Sequence, residues 1–293
     1  MSSAGILLLD KPPGPTSHDV VREIRKASGM RRVGHAGTLD PFASGLLLLL
    51  LGFATRLSEY FLGMVKEYEA TVHLGVETTT HDLDGAAVSE NEGWAELGET
   101  DLLKAMESLK GRVSQVPPAY SAKKVQGESA HRRVRRGESV ELAPVQVEVL
   151  ALDLLGMEGP EVHLRVECSS GTYVRALARD LGRALGVGGH LTALRRTRIG
   201  SFWVSSASEL EDLGDPDSIR AALTSPATAL GHFPALEVGP EDAARIRHGQ
   251  FLPLGRDDVP GGVPVRVLLE GNLVAVAARE GDQLRPQKVF ADG

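Results

Sequence analysis

Six consecutive leucines, Leu46 to Leu51, stand between Gly45 and Gly52. A run this apolar is driven out of water, and its length decides what it can be. Roughly 18 to 20 apolar residues are needed to cross a bilayer as a helix, so six read as a strand buried in a folded core. The N-terminus has no basic segment leading into a long apolar one, and no secretory signal is expected. A chain of 293 residues can supply one large domain and one small one, each with its own core. Its hydrophobic content of 42% and charged content of 24% are those of a globular protein and argue against wholesale disorder. One cysteine, Cys168, excludes an internal disulfide framework and a cysteine-rich zinc site, and suits a reducing cytoplasm.

Strand and helix periods alternate around this run. Gly5–Leu9 is a short apolar strand stopped by Asp10-Lys11-Pro12-Pro13-Gly14. From Thr16 to Gly29 a helix is expected: Thr16 and Asp19 fit a capping box, Val20, Val21, Ile24 and Ala27 form the apolar stripe, and Gly29 suits the left-handed stop. Thr55–Leu62 suggests a short helix. Tyr68, Ala70, Val72, Leu74 and Val76 alternate with polar residues, as do Val162, Leu164, Val166 and Cys168. Helical spacing marks Thr100–Leu109 and Val174–Leu185, closed by Gly111 and Gly186. No βαβ rhythm links these elements, so the class is α+β with a mixed, largely antiparallel sheet. An acidic stretch around 209–231, with Pro216 and Pro226, reads as a connection. Beyond it Gly271-Asn272 marks a hairpin, and residues 232–293 read as a small β-rich domain.

The net charge of −7 argues at first against a nucleic-acid partner, but its distribution does not. Between Lys110 and Val147 eight basic residues face three acidic ones, and between Arg165 and Gly200 seven arginines face two. Residues 117–143 lack a clean period and read as an exposed basic excursion between two strands.

The densest chemistry lies in Gly34-His35-Ala36-Gly37-Thr38-Leu39-Asp40-Pro41, followed by Ala43-Ser44-Gly45. One imidazole and one carboxylate sit on a glycine-punctuated loop between regular elements. Taken alone, Asp40-Pro41 reads first as an ordinary turn dipeptide and His35 as a solvated side chain. Four further motifs change that balance: Leu9-Asp10-Lys11-Pro12-Pro13-Gly14, Lys66-Glu67-Tyr68, Gly171-Thr172-Tyr173-Val174-Arg175 and Leu194-Arg195-Arg196-Thr197. Together and in this order, over roughly residues 5 to 200, they resemble the TruB family of tRNA pseudouridine synthases.

The resemblance implies that Asp40 is the essential carboxylate of a uridine-to-pseudouridine isomerisation at position 55 in the tRNA T-loop. That reaction needs no cofactor, redox partner or metal. The residues leave open whether the carboxylate attacks the base, attacks C1′, or assists elimination from the sugar. Arg175 is expected to orient and ionise Asp40. Tyr68 is expected to stack on the uracil and relay the C5 proton, with Leu194 as the opposite wall. His35 would stack in the vacated RNA loop once the base is flipped. Lys11 would contact a phosphate or brace the catalytic loop, while Arg56 and Asp82 fall in family-like segments. Lys123, Lys124, Arg132 and Arg133 would grip phosphates from a thumb-like insertion at about 117–143. The division implied is a catalytic domain, 1–231, and a PUA-like RNA-binding domain, 232–293. Expected with it are a cytoplasmic monomer with no membrane, guide RNA or protein partner. The rival readings are a guide-dependent relative, a catalytically silent RNA-binding protein, and a phosphoryl-transfer enzyme. The last is weakened because Gly186-Val187-Gly188-Gly189-His190 lacks a Lys-Ser/Thr ending.

Overall fold

The fold is a computed structural model that describes residues 4–120, 142–255 and 259–290, with eight positions between 124 and 140. The first strands are β1 (Gly5–Lys11), β2 (Val33–His35), β3 (Ser44–Leu51) and β4 (Lys66–Leu74). A small ribbon, β5 (Val76–Thr78) with β6 (Ala87–Glu90), precedes β7 (Gly111–Gln115). The short strands β8 (Lys124–Val125) and β9 (Glu128–Ser129) pair with each other. Then come β10 (Val145–Glu158), β11 (Glu161–Cys168) and β12 (Gly189–Ile199).

The leucine run is the centre of one half of the molecule. β3 pairs antiparallel with β1, and its period-2 alternation divides the leucines between two cores. Leu46, Leu48 and Leu50 enter a cluster with Phe61, Ile199 and Leu230, while Leu47, Leu49 and Leu51 join Val20, Val21 and Ile24. Those last three come from helix α1 (Ser17–Ser28), whose Thr16/Asp19 capping box and left-handed Gly29 stop are as expected. Both faces of β3 are therefore covered, which is why it needs no polar residue.

The other half is antiparallel, with β4, β11, β10 and β7 in that order. Here the alternation leaves one apolar face, including Ala70, Val72, Leu164 and Val166, packed under α3 (Glu99–Glu107) and the helix Val174–Ala184. The opposite face is polar and partly open, a pattern antiparallel sheets tolerate. β12 joins the halves, running antiparallel to β4 and parallel to β3. The parallel contact is only two pairs long, Arg195 with Ser44 and Arg196 with Gly45. The expected continuation of β4 to Val76 breaks at Gly75, whose φ of 88° turns the chain out of the large sheet. Thr55–Leu62 is a 3₁₀ turn, Gly52–Leu57, running into α2 (Ser58–Leu62).

After short edge strands β13 (Phe202–Trp203), β14 (Ser208–Glu209) and β15 (Leu223–Thr224), a second sheet follows. Its strands are β16 (Ala235–Glu237), β17 (Leu252–Pro253), β18 (Pro264–Leu269), β19 (Asn272–Glu280) and β20 (Gln283–Val289). A hairpin turning through Glu270-Gly271, both at positive φ, joins β18 to β19 and places Asn272 opposite Leu269. Val265, Val267, Val274 and Leu284 form its core with Ile246 of the helix Pro240–Arg247. The sheet also packs on the first: Phe290 stacks on Phe53 at 4.8 Å, and Lys288 pairs with Glu59 at 3.0 Å. No helix among the described residues is long and apolar enough to cross a membrane.

Candidate active site

The loop between β2 and β3 carries Asp40 and is braced from the N-terminal motif. Ser17 Oγ accepts from the Leu39 amide at 2.9 Å, and the Gly14 amide donates to the Pro41 carbonyl at 2.8 Å. Lys11 is fully buried; its ammonium donates to the carbonyls of Pro12 and Pro15 at 2.8 Å and of Pro41 at 3.2 Å. Burial lowers its pKa to about 8, partly offset by Asp40. The phosphate-contact expectation for Lys11 is thereby corrected. A cation with no exposed surface and three carbonyl partners holds the loop instead. The Asp-Pro turn is also real, with the Ala43 amide donating to the Asp40 carbonyl at 3.1 Å. At the loop's end Gly45 has φ 102°, and a Cβ there would collide with the Arg196 backbone. Only glycine lets β3 start so close to β12.

Arg175 lies near the start of the helix Val174–Ala184, where the helix dipole disfavours a cation. Two carboxylates offset this. Its Nε lies 2.9 Å from Asp40 Oδ2, off the hydrogen-bond angle, and Nη2 donates to Asp40 Oδ1 at 3.2 Å. Nη1 donates to Asp82 Oδ2 at 3.0 Å and to the Thr80 carbonyl at 3.1 Å, while Nη2 also reaches the Tyr120 carbonyl at 2.8 Å. Asp82 is itself buried and accepts from the Thr80 hydroxyl and from the Asp84 amide at 3.1 Å. With its oxygens on Arg175 and its own turn, Asp82 anchors the guanidinium. Burial raises the Asp40 pKa above the usual carboxylate range. Arg175 opposes this, and the like charge of Asp82 adds to it.

Asp40 and Arg175 stand between two cavities. The smaller, about 260 Å³, is lined also by Lys66, Tyr68, Thr172, Leu194 and Arg196. Tyr68 and Leu194 thus meet across one cavity, as expected. Tyr68 is buried, which raises its pKa, and Arg196, its partner in the β4–β12 ladder, pulls it back. The wider cavity, about 590 Å³, is lined by His18, His35, Phe42, Thr80, Asp82 and Tyr120 among others. Burial, then Arg196 and His18, lower the His35 pKa, and its buried Nδ1 lacks a hydrogen-bond partner. His35 thus borders the wider cavity as an imidazole held toward its neutral form.

Arg56 does not line either cavity. It donates to the Val289 carbonyl at 2.7 Å and lies 5.0 Å over the Phe290 ring, so it joins the two sheets away from the cavities. In the basic excursion Lys123 and Arg132 lie outside the described residues, and Lys124 is described only as part of β8. Arg133 pairs with Glu138 at 2.7 Å. Sequence reasoning missed Arg196 and Lys66, both buried in the cavity wall. Their signal was present: each lies two residues from a named wall residue, Leu194 or Tyr68, and so shares its strand face.

A carboxylate held by arginine borders an aromatic-lined cavity on this mixed sheet, and a second β-rich unit follows. The model of the TruB family pseudouridylate synthase N-terminal domain matches residues 25–174, and that of the tRNA pseudouridylate synthase B C-terminal domain matches 175–224. The chain belongs to the TruB family. It is 44% identical to tRNA pseudouridine synthase B of Leifsonia xyli subsp. xyli (strain CTCB07), covering 97% of this chain and 96% of that one. Against the Thermobifida fusca (strain YX) protein of the same name it is 42% identical, covering 98% of each. Among solved structures, a Cbf5-Nop10-Gar1 complex aligns with TM-score 0.74 and 30% identity, over 98% of this chain and 85% of that one. An H/ACA RNP bound to a substrate RNA containing 2′-deoxyuridine aligns with TM-score 0.74 and 28% identity, over 99% and 86%.

Proposed function

We propose that this enzyme isomerises uridine to pseudouridine at position 55 in the T-loop of tRNA, with Asp40 as the essential carboxylate. The observation that carries the reading is the Asp40–Arg175 pair opening onto a cavity walled by Tyr68 and Leu194. The reaction breaks N1–C1′, turns the uracil and rejoins it through C5. A carboxylate kept ionised by a neighbouring guanidinium can bond to the sugar carbon or take a sugar proton. Tyr68 stacks on the ring and relays the C5 proton. A base inside a folded RNA loop must be flipped out to enter, and His35 at the wider cavity stacks in the space it leaves.

Residues 1–231 form the catalytic unit, with the insertion at 117–143 as an RNA-gripping thumb bearing Lys123, Lys124, Arg132 and Arg133. Residues 232–293 form a PUA-like RNA-binding unit. The enzyme acts in the cytoplasm as a monomer, without guide RNA or protein partner. Curated relatives named tRNA pseudouridine synthase B support tRNA as the substrate.

The test is tritium release from C5-labelled uridine in an unmodified tRNA by the protein alone, compared with Asp40→Asn. Release by wild type and none by the variant is expected. Normal release by Asp40→Asn would overturn the catalytic assignment. No release by wild type despite tight tRNA binding would favour a binding protein, and release only with a guide RNA would favour the guide-dependent reading.

A further inference from the structure

Two cations underlie the smaller cavity, where neutral uridine offers no counter-charge. On β4, alternation turns Lys66 and Tyr68 to one face, and on β12 it turns Leu194 and Arg196 to the same face. In the ladder Arg196 stands opposite Tyr68, and Leu194 opposite Ala70. Lys66 is 7% exposed and Arg196 1%. Among the described residues, carboxylates do not hold them. Lys66 donates to the carbonyls of Leu62 at 3.0 Å and Met64 at 2.7 Å. Arg196 donates to those of Leu46 at 2.7 Å, Gly37 at 3.1 Å and Thr38 at 3.4 Å. The two side chains meet beneath Gly37: a Cβ there would lie 3.6 Å from Arg196 Nη1 and 3.7 Å from Lys66 Cε. Among the described residues Asp40 is the sole carboxylate lining this cavity, and Arg175 already holds it. Burying unpaired charge is costly, so the positive floor calls for an anion that appears during the reaction.

We propose that Lys66 and Arg196 form an anion-holding floor for the uracil ring once its bond to the sugar has broken. The proposal rests on uridine isomerisation as the activity. When C1′–N1 breaks, its electron pair leaves with the ring, giving a monoanion with charge on N1, O2 and O4. The sugar is balanced either by a bond from C1′ to the Asp40 carboxylate or by transfer of the C2′ proton to it. C5 then bonds to C1′ with the ring's electron pair, as the Asp40 bond breaks or the proton returns to C2′. Loss of the C5 proton and gain of a proton at N1 complete a neutral product. Charges fixed beforehand in a water-poor cavity favour this anion over neutral uridine. The field of two charges also follows the ring as it turns, whereas a hydrogen bond to one oxygen would have to break.

Single-turnover conversion, with enzyme in excess, tests this on tRNA carrying uridine or 5-fluorouridine at the target position. Fluorine makes the ring a better anion and so lessens its need for help. Because C5 then carries no proton to lose, conversion is read on both substrates as loss of the N1–C1′-linked nucleoside rather than as pseudouridine formed. Lys66→Met should slow uridine conversion on the order of 10²-fold with tRNA affinity unchanged, slow 5-fluorouridine conversion much less, and be largely rescued in Lys66→Arg. Equal deficits on both substrates, a loss of affinity in place of rate, or no deficit would overturn the floor. Wild-type protein gives a second measurement independent of variant folding. Barbiturate, a planar pyrimidine that is anionic at neutral pH, should bind more tightly than uracil, and equal binding would overturn it. Inactivity of wild type on uridine tRNA would instead sink the parent reading.

Discussion

Arg175 holds Asp40 on one side and Asp82 on the other, with Nε 2.9 Å from the first carboxylate and Nη1 3.0 Å from the second. One buried guanidinium therefore orients Asp40 and opposes the effect of its burial. In the proposed reaction Asp40 works ionised; burial raises its pKa and Arg175 lowers it. Activity should fall as pH drops through that pKa. In Arg175→Gln the acid limb should move to higher pH, and turnover at neutral pH should drop on the order of 10²-fold or more. A pH–rate profile under single-turnover conditions checks both. An unmoved limb would mean that Arg175 serves only packing.

Stability should respond to Asp40 in the opposite sense to activity. A carboxyl whose folded pKa is raised costs stability above that pKa and ceases to do so below its unfolded value. Asp40→Asn should therefore abolish turnover at pH 7 while leaving Tm equal or higher. Calorimetry at pH 7 reads this directly, and a marked fall in Tm would contradict it.

Lys11 separates bracing from RNA contact. Lys11→Met removes the donors to Pro12, Pro15 and Pro41, so kcat and Tm should fall while tRNA affinity and its salt dependence stay as in wild type. Weaker binding with a flatter salt slope would restore the phosphate role. Because its pKa is lowered to about 8, Lys11 contributes increasing stability as pH rises from there toward its ordinary value.

The contact between the two sheets rests on Phe290, which is 2% exposed and stacked on Phe53. Phe290→Ala should destabilise the protein by about 3 kcal/mol, measured by denaturant unfolding. A change below about 1 kcal/mol would show that the cavity collapses or that this contact adds little.

The thumb proposal is tested collectively. Replacing Lys123, Lys124, Arg132 and Arg133 by Ala should weaken tRNA binding and reduce the slope of log affinity against log salt. Unchanged binding across several salt concentrations would remove it.

How much could be read beforehand follows from where each signal resides. The capping box at Thr16 and Asp19, the Gly29 stop and the hairpin are local; the first two appear where the sequence places them, and the hairpin turns one residue earlier, through Glu270-Gly271. The leucine run told of burial but not of two separate cores, because which neighbours cover each face depends on chain segments far away. Asp40 and Arg175 were named from motifs; their 2.9 Å contact spans 135 positions of sequence, which no local pattern encodes. Arg196 was overlooked because adjacent arginines read as a solvated basic face. Only the ladder with Tyr68 turns one of them inward. The place of Arg56 was hidden for the converse reason, since its partner, Val289, belongs to the last strand.

The two-pair parallel seam between β3 and β12 has a mechanical corollary. Each half of the large sheet is fastened by long antiparallel ladders and its own apolar core, so strain that pries the halves apart acts first on Ser44, Gly45, Arg195 and Arg196. Those residues end the catalytic loop and begin the cavity floor. The Asp40 site should therefore act as a tripwire for the fold, with turnover lost at a lower denaturant concentration than the far-ultraviolet circular dichroism.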